Sequence, residues 1–255
     1  MARSHPDHDR EAPRKRFSPL IIQLRSLFFP SGAICISCGA LRVDMAAHGL
    51  CHDCEEALVP LEAPFCPRCG RPGWSMVCPD CSVARPTALD ARISAYAYRD
   101  TAASLVRALK YQHVDQAARA LVDGMIACRP RGTFDALVPV PLHRRRMRQR
   151  GFNQAETLCQ ALSKITGLPI WPGLTRIHPT RTQTRLNHKQ RQDNVRGAFA
   201  ADAADIPLLK GASLLLVDDV MTTGATAESC AQELKAAGAA RVVLWTATRA
   251  ALLTD

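Results

Sequence analysis

The sequence predicts an α/β protein with a mostly parallel sheet, preceded by a cysteine-rich module that binds metal. Three observations predict it: four Cys-x2-Cys pairs between residues 35 and 81, an alternation of strand-like and helix-like apolar patterns from about Leu89 onward, and a length of 255 residues. That length suits one α/β domain of ordinary size plus a small appendage, at roughly 100 to 200 residues per domain. The expected divisions are a basic tail with a short apolar helix over residues 1–33, a double zinc module over 34–85, and the large domain over 89–255.

At the N-terminus, Arg14, Lys15 and Arg16 precede the apolar stretch Leu20 to Phe29. Gln23 and Arg25 interrupt that stretch, and Ile34 is too large for a lipoprotein cleavage site before Cys35, so an export signal is set aside. Leu20, Leu24, Leu27 and Phe28 sit at helical spacing and predict a short helix packed on the rest of the protein, a membrane-surface anchor being the alternative. No apolar run approaches the ~18 to 20 residues of a membrane span. The expected location is the cytoplasm.

Eleven cysteines without a secretion signal argue for metal or redox chemistry over a disulfide framework. Spacing decides between these. Cys35-x2-Cys38 is followed after 12 residues by Cys51-x2-Cys54, and Cys66-x2-Cys69 after 8 by Cys78-x2-Cys81. A two-residue gap lets both thiolates of a knuckle face one ion, and two knuckles complete a tetrahedral four-thiolate site with Zn–S near ~2.3 Å. A redox pair would need one such motif opening a helix in a βαβ context, which is not found here. Residues 34–85 hold few large apolar side chains, so zinc must offset their chain entropy. Four thiolates leave no open position, so both ions are read as structural; which pairs share an ion is left open. His48 and His52 are expected beside the ions or in solvent, and Cys128, Cys159 and Cys230 in helix cores. The module and the large domain are expected to have separate cores.

In the large domain, Arg92 to Tyr98 alternates as a strand does. Ala102, Leu105, Val106 and Leu109 give one helical stripe, and Ala118, Leu121, Val122 and Met125 a second. Ala136 to Val140 predicts a short buried strand, with Ala155, Leu158, Cys159 and Leu162 in the next helix. Ser213 to Val217 is a continuous apolar strand, Ala227, Cys230, Ala231 and Leu234 mark the helix after it, and Gly238 stops that helix before the strand Arg241 to Thr246. This order is that of a mostly parallel sheet.

The formal net charge of +10 is local. Between Pro141 and Arg196 there are 12 Lys or Arg against Glu156 and Asp193, leaving 21 of each sign elsewhere. Such a window points to a polyanionic ligand: pyrophosphate, a phosphoribosyl group or nucleic acid.

Ligands of parallel sheets bind at the carboxyl ends of the strands. There the strand Leu214 to Val217 is expected to end in Asp218 and Asp219, with Val220, Met221, Thr222, Thr223, Gly224, Ala225 and Thr226 forming a turn at the sheet's edge before the next helix. Two carboxylates can accept from ribose hydroxyls and help hold Mg²⁺. The Thr hydroxyls and helix-start N–H groups can surround a phosphate, which Gly224 lets the backbone approach.

Leu214 to Thr226 resembles the 13-residue motif by which type I phosphoribosyltransferases bind 5-phosphoribosyl pyrophosphate (PRPP). That resemblance implies a Rossmann-like core, a mobile hood, Mg²⁺, and displacement of pyrophosphate. Pro139 to His143, Arg144 to Arg150 with Gly151 to Gln154, Leu109 to Tyr111, the run Gln183-x2-Leu186-x4-Arg191-x2-Asn194, Gly197 to Phe199 and the paired knuckles together resemble the ComF family over roughly Leu27 to Thr248. This resemblance implies an association with natural competence, the uptake of transforming DNA, but no particular pathway; single-stranded DNA, for which the basic window is the reason, and the DNA-uptake machinery are the partners weighed beside PRPP.

Breaking the bond from ribose C1 to pyrophosphate requires cationic donors on the leaving group and exclusion of water. Arg144, Arg145, Arg146 and Arg148, in the loop expected after strand Ala136 to Val140, are the anion-binding candidates; Asp218, Asp219, Arg144 and Lys110 are the catalytic ones. Lys110 either reaches the pyrophosphate or stays in solvent. His178 to Arg196 has no apolar period, as a lid would, and His143 and His188 are either proton carriers or solvated loop residues. No residue set names an acceptor. The chain is therefore either a phosphoribosyltransferase or a binding protein that senses PRPP or grips single-stranded DNA.

Overall fold

The computed structural model describes residues 34–42, 45–46, 48–84, 86–111, 115–177 and 197–250. The expected N-terminal helix, the expected lid His178 to Arg196 and His188 lie outside them.

The cysteine-rich segment contributes two short helices, α1 (His52–Glu56) and α2 (Pro79–Ser82), each opening directly after a cysteine. The chain then forms strand β1 (Ala91–Ala97), helices α3 (Asp100–Tyr111) and α4 (Asp115–Ala127), strand β2 (Ala136–Pro139), and helices α5 (Arg144–Arg150) and α6 (Gln154–Thr166). Strands β3 (Leu174–Arg176) and β4 (Phe199–Ala201) pair antiparallel as a two-stranded ribbon. After the short helix α7 (Ile206–Leu209) come strand β5 (Ser213–Met221), helix α8 (Ala225–Ala236) and strand β6 (Arg241–Arg249).

The main sheet has the order β1-β6-β5-β2 and every pair in it is parallel. The interior strands β5 and β6 are covered on both faces, which is why Leu214 to Val217 and Val242 to Leu244 read as unbroken apolar runs. Period-two alternation divides them between two cores. Leu215, Val217, Val243 and Trp245 face α3, α4 and α6; Leu214, Leu216, Val242 and Leu244 face α8, β4 and α7. Trp245 is fully buried and its indole N–H donates to the Met125 carbonyl at 3.2 Å, so the largest core side chain is also satisfied.

Three expectations are corrected. Strand β5 continues through Asp218, Asp219, Val220 and Met221, because β6 runs beside it to Arg249 and supplies backbone partners; the turn follows an interior strand and does not lie at the sheet's edge. Arg144 to Arg150 is a helix, not a loop: His143 Nδ1 accepts from the Arg145 N–H at 3.2 Å at its start, and Gly151 at φ 83° ends it. Cys128 falls just past α4, half-buried, whereas Cys159 and Cys230 are buried in helices as expected.

The expectation of separate cores fails for the first half of the zinc module. Cys35, Leu50 and Cys51 belong to the apolar cluster built on α3 and α4. Cys66, Cys78 and Cys81 form a cluster of their own.

Candidate functional site

Sulfur geometry answers the question of pairing. Cys35, Cys38, Cys51 and Cys54 form one group and Cys66, Cys69, Cys78 and Cys81 another, with the ligand atoms of each within 4.8 Å of one another. Sγ of Cys38 and Cys51 are 3.9 Å apart, and Sγ of Cys69 and Cys78 are 3.7 Å apart. A tetrahedron with Zn–S of ~2.3 Å needs about 3.8 Å between sulfurs, so both groups fit zinc. Burial opposes the thiolates of Cys35 and Cys66, but backbone N–H groups of the following knuckle residues and of the partner knuckle outweigh it and lower both to about 6. His48 contacts Glu55 and Asp123, and His52 contacts Glu56; neither joins a sulfur group.

The second site is a cavity of about 720 Å³ at the carboxyl end of the main sheet. Asp218, Asp219, Val220, Met221, Thr222, Gly224, Ala225 and Thr226 line it; Thr223 instead turns its hydroxyl to the Ala225 N–H at 3.4 Å, capping the start of α8. Gly224 sits at φ 76°, a left-handed conformation that glycine adopts without strain, and the first residues of α8 after it, Ala225, Thr226 and Ala227, line the cavity.

The two carboxylates differ. Asp219 is 3% exposed and its Oδ2 meets Lys110 Nζ at 2.6 Å. Burial alone would lower the pKa of Lys110, but the Asp219 carboxylate outweighs it and holds the ammonium above its ordinary value. Lys110 thus lines the cavity in an ion pair with Asp219, and the solvent alternative falls. Asp218 is pushed well above the usual carboxylate range by burial and then by the negative charge of Asp219. Its Oδ1 accepts the Asp219 N–H at 2.9 Å.

Basic residues line the same cavity. Of the four sequence candidates, Arg145 and Arg146 line the cavity, while Arg144 and Arg148 are exposed and are not among its lining residues. His143 also lines it. Three cations at the start of α5 oppose the positive end of its dipole, a cost that a bound anion would remove. Sequence reasoning missed Arg150, Arg176, Gln154 and Tyr98, which line the cavity too. Arg150 donates to Gln154 Oε1 at 3.0 Å and lies over the Tyr111 ring at 5.4 Å. Asn153 fixes this corner, donating to the Val140 carbonyl at 3.1 Å while its Oδ1 caps α6. Arg150 to Gln154 was visible as one motif; what was not visible is that β2 and α6 turn it inward. Arg176, half-buried against Phe199, comes from the small ribbon β3–β4 and had no local signal.

The donor set has room for a divalent cation. Asp218 and Asp219 both line the cavity, and a cation bound there would relieve the burial and the repulsion that raise Asp218.

Residues 24–82 match the double zinc ribbon domain family. The chain is 35% identical over 208 residues to a protein of Salmonella typhi named DNA utilization protein YhgH, covering 77% of this chain and 88% of that one. It is 29% identical to competence protein F of Haemophilus influenzae, covering 85% and 96%, and 28% identical to competence protein ComFC of Bacillus subtilis, covering 76% and 81%. Among solved structures, it resembles the glutamine PRPP amidotransferase of B. subtilis at 19% identity and a TM-score of 0.35, over 51% of this chain and 26% of that one. The adenine phosphoribosyltransferase of Thermoanaerobacter pseudethanolicus gives 13%, 0.30, 52% and 80%. Structural likenesses this distant carry no functional argument. The α/β class with a parallel sheet expected from the sequence is the one found, behind an N-terminal double zinc ribbon.

Proposed function

We propose, from the premise that the chain belongs to the ComF family, that its cavity binds PRPP together with Mg²⁺. The observation that carries this reading is that one cavity is lined together by Asp218 and Asp219 with Lys110, by Arg145, Arg146, Arg150 and Arg176, and by the glycine turn opening α8. Carboxylates accept from the ribose hydroxyls, the α8 N–H groups and Thr222 or Thr226 receive the 5-phosphate, and guanidinium groups take the pyrophosphate. Asp218 and Asp219 would hold Mg²⁺, which when bound offsets charge on the pyrophosphate. Lys110 pairs with Asp219 and orients it; the arginines stabilise charge that builds on a leaving pyrophosphate, and thereby act in a transfer to an acceptor if one is bound.

Titration calorimetry with PRPP and Mg²⁺ tests this. Wild type binds, and Asp219→Ala weakens binding by roughly 10 to 150-fold, because a charged hydrogen bond contributes about 1.5 to 3 kcal/mol and Lys110 is left unpaired. No binding at millimolar PRPP would overturn the reading. Pyrophosphate release with a panel of nitrogenous bases distinguishes a transferase from a sensor.

A second reading concerns DNA. Arg144 and Arg148 are four residues apart on the exposed side of α5, outside the cavity, and the relatives carry names of DNA utilization and competence. These two arginines support contact with single-stranded DNA, and with it a part in DNA uptake. Arg144→Ala/Arg148→Ala should then weaken oligonucleotide binding and flatten its salt dependence by about 1.4 log units per log unit of salt, at ~0.7 for each phosphate. Unchanged oligonucleotide affinity and slope would count against it.

A further inference from the structure

Arg92 is half-buried between the second zinc ribbon and the start of α8. Its side chain is 13% exposed. Nη1 donates to the Arg68 carbonyl at 2.5 Å, inside the Cys66-x2-Cys69 knuckle; Nη2 donates to Thr87 Oγ1 at 2.8 Å and pairs with Glu228 Oε2 at 3.1 Å. Glu228 lies in the first turn of α8, and its N–H makes the bond to the Gly224 carbonyl, at 2.8 Å, that starts the helix. Around a further edge of the same knuckle, Arg249 donates to the Cys69 carbonyl at 2.6 Å, and Arg249 is the β6 partner of Met221, where β5 runs into the turn. Gly70 comes so close to the β1 backbone that a Cβ there would collide with the Arg92 carbonyl oxygen.

This arrangement has an electrostatic meaning. A carboxylate in the first turn of a helix is attracted to the same positive end that would hold a phosphate. Left uncompensated, Glu228 competes with and repels an anion in the turn. Arg92 compensates it from behind, and the nearest atom to a Cβ built on Gly224 is Arg92 Nε at 3.5 Å, so the guanidinium also adds positive charge directly beneath the turn. Burial works against that charge and Glu228 works for it, which ties the two groups together.

We infer that Arg92 is a positioning residue for anion binding: anchored on the second zinc ribbon, it neutralises Glu228 and holds the Gly224 turn, so that the ribbon's integrity tunes ligand affinity. The inference rests on the PRPP reading above, and the experiment separates the two. Calorimetry is run on full-length, zinc-loaded protein with Mg²⁺ and either PRPP or inorganic pyrophosphate as titrant, with zinc content and near-UV circular dichroism recorded for every variant. Arg92→Gln is expected to weaken PRPP binding about 10-fold, the scale of a charge at a partly buried helix end, and Arg92→Lys less. Glu228→Gln in the Arg92→Gln background should restore affinity to within about 3-fold of wild type, because the repelling charge has gone. Cys66→Ser should weaken PRPP binding by about 3-fold or more with the large domain still folded. Inorganic pyrophosphate, which lacks the 5-phosphate assigned to the Gly224 turn, should respond less than PRPP. A wild type that binds neither titrant overturns the PRPP reading and this inference with it. A wild type that binds PRPP while Arg92→Gln binds equally well, or a double variant no better than Arg92→Gln, overturns the inference alone. So does Cys66→Ser with unchanged affinity.

Discussion

In the first zinc ribbon, Cys35, Leu50 and Cys51 pack in one apolar cluster with α3 and α4, whereas in the second, among the described residues, Cys66, Cys78 and Cys81 form an apolar cluster with Cys69 alone. The first ribbon has a fully buried Leu50 as well as the exposed Ile34 and Leu41, while the second exposes Trp74, Met76, Val77 and Val83, the last by 87%. The second ribbon is joined to the sheet by polar bonds, from Arg92 to the Arg68 carbonyl and from Arg249 to the Cys69 carbonyl. Two sites with the same ligand set therefore differ in what depends on them. The first is part of the domain's core, and the second is a satellite held at the ligand end of the sheet.

The largest expected effect breaks the first ribbon. Cys51→Ser removes a thiolate that is 1% exposed in the main core. Structural zinc contributes on the order of 10 kcal/mol in isolated peptides, comparable with the ~5 to 15 kcal/mol of a whole domain, so losing it here is felt globally. Thermal unfolding should fall by more than about 10 °C with loss of near-UV dichroism. A variant that melts like wild type would show that the shared cluster is incidental.

A milder contrast spares the ligands. Leu50→Ala should cost about 2 to 5 kcal/mol, as core truncations do, and Met76→Ala should stay within ~0.5 kcal/mol. Chemical denaturation measures both. Similar costs for the two would mean that the ribbons are equivalent after all.

Third comes Cys66→Ser. It should lose one zinc by elemental analysis, and raise hydrogen exchange in residues 64–82, while peptides from β5 and β6 keep their protection. Deprotection of Leu214 to Val217 would mean that the second ribbon, too, is part of the core.

How legible this was can be read from the same residues. The knuckle spacing marked all eight ligands, and the apolar runs at Leu214 and Val242 marked interior strands, because both signals are local. The motif Asp218 to Thr226 was legible as a chemical string, though its first residues belong to the strand. Pairings across the chain were not legible. Lys110 meets Asp219 over a separation of 109 positions, and Arg92 meets Glu228 over 136, through folding alone. Nothing in a basic run tells which arginines turn inward; α5 does so only once His143 and Gly151 fix its ends. The division of the ribbons between two clusters likewise depends on α4, whose contact with the first knuckles leaves no spacing signal.

The smallest expected effect concerns the ligand end itself, where no ribbon residue is touched. Asp218 carries a pKa raised by burial and by Asp219, so across the interval between its unfolded and folded values the native state binds more protons than the unfolded one. Stability must then fall as pH rises through that interval, the wild type being favoured on the acid side. Asp218→Asn keeps an oxygen for the Asp219 N–H and has no charge to bury. The variant should match wild type near pH 4 and melt slightly above it at pH 8, with the difference shrinking when Mg²⁺ is added, since a cation relieves the same penalty in wild type. Melting curves at the two pH values decide it. Because position 218 lines the cavity and belongs to neither sulfur group, zinc content should not change in either ribbon, which separates strain stored at the cavity from stability supplied by the metal sites. A variant less stable than wild type at pH 8 would mean that the Asp218 carboxylate is held by partners stronger than the repulsion from Asp219.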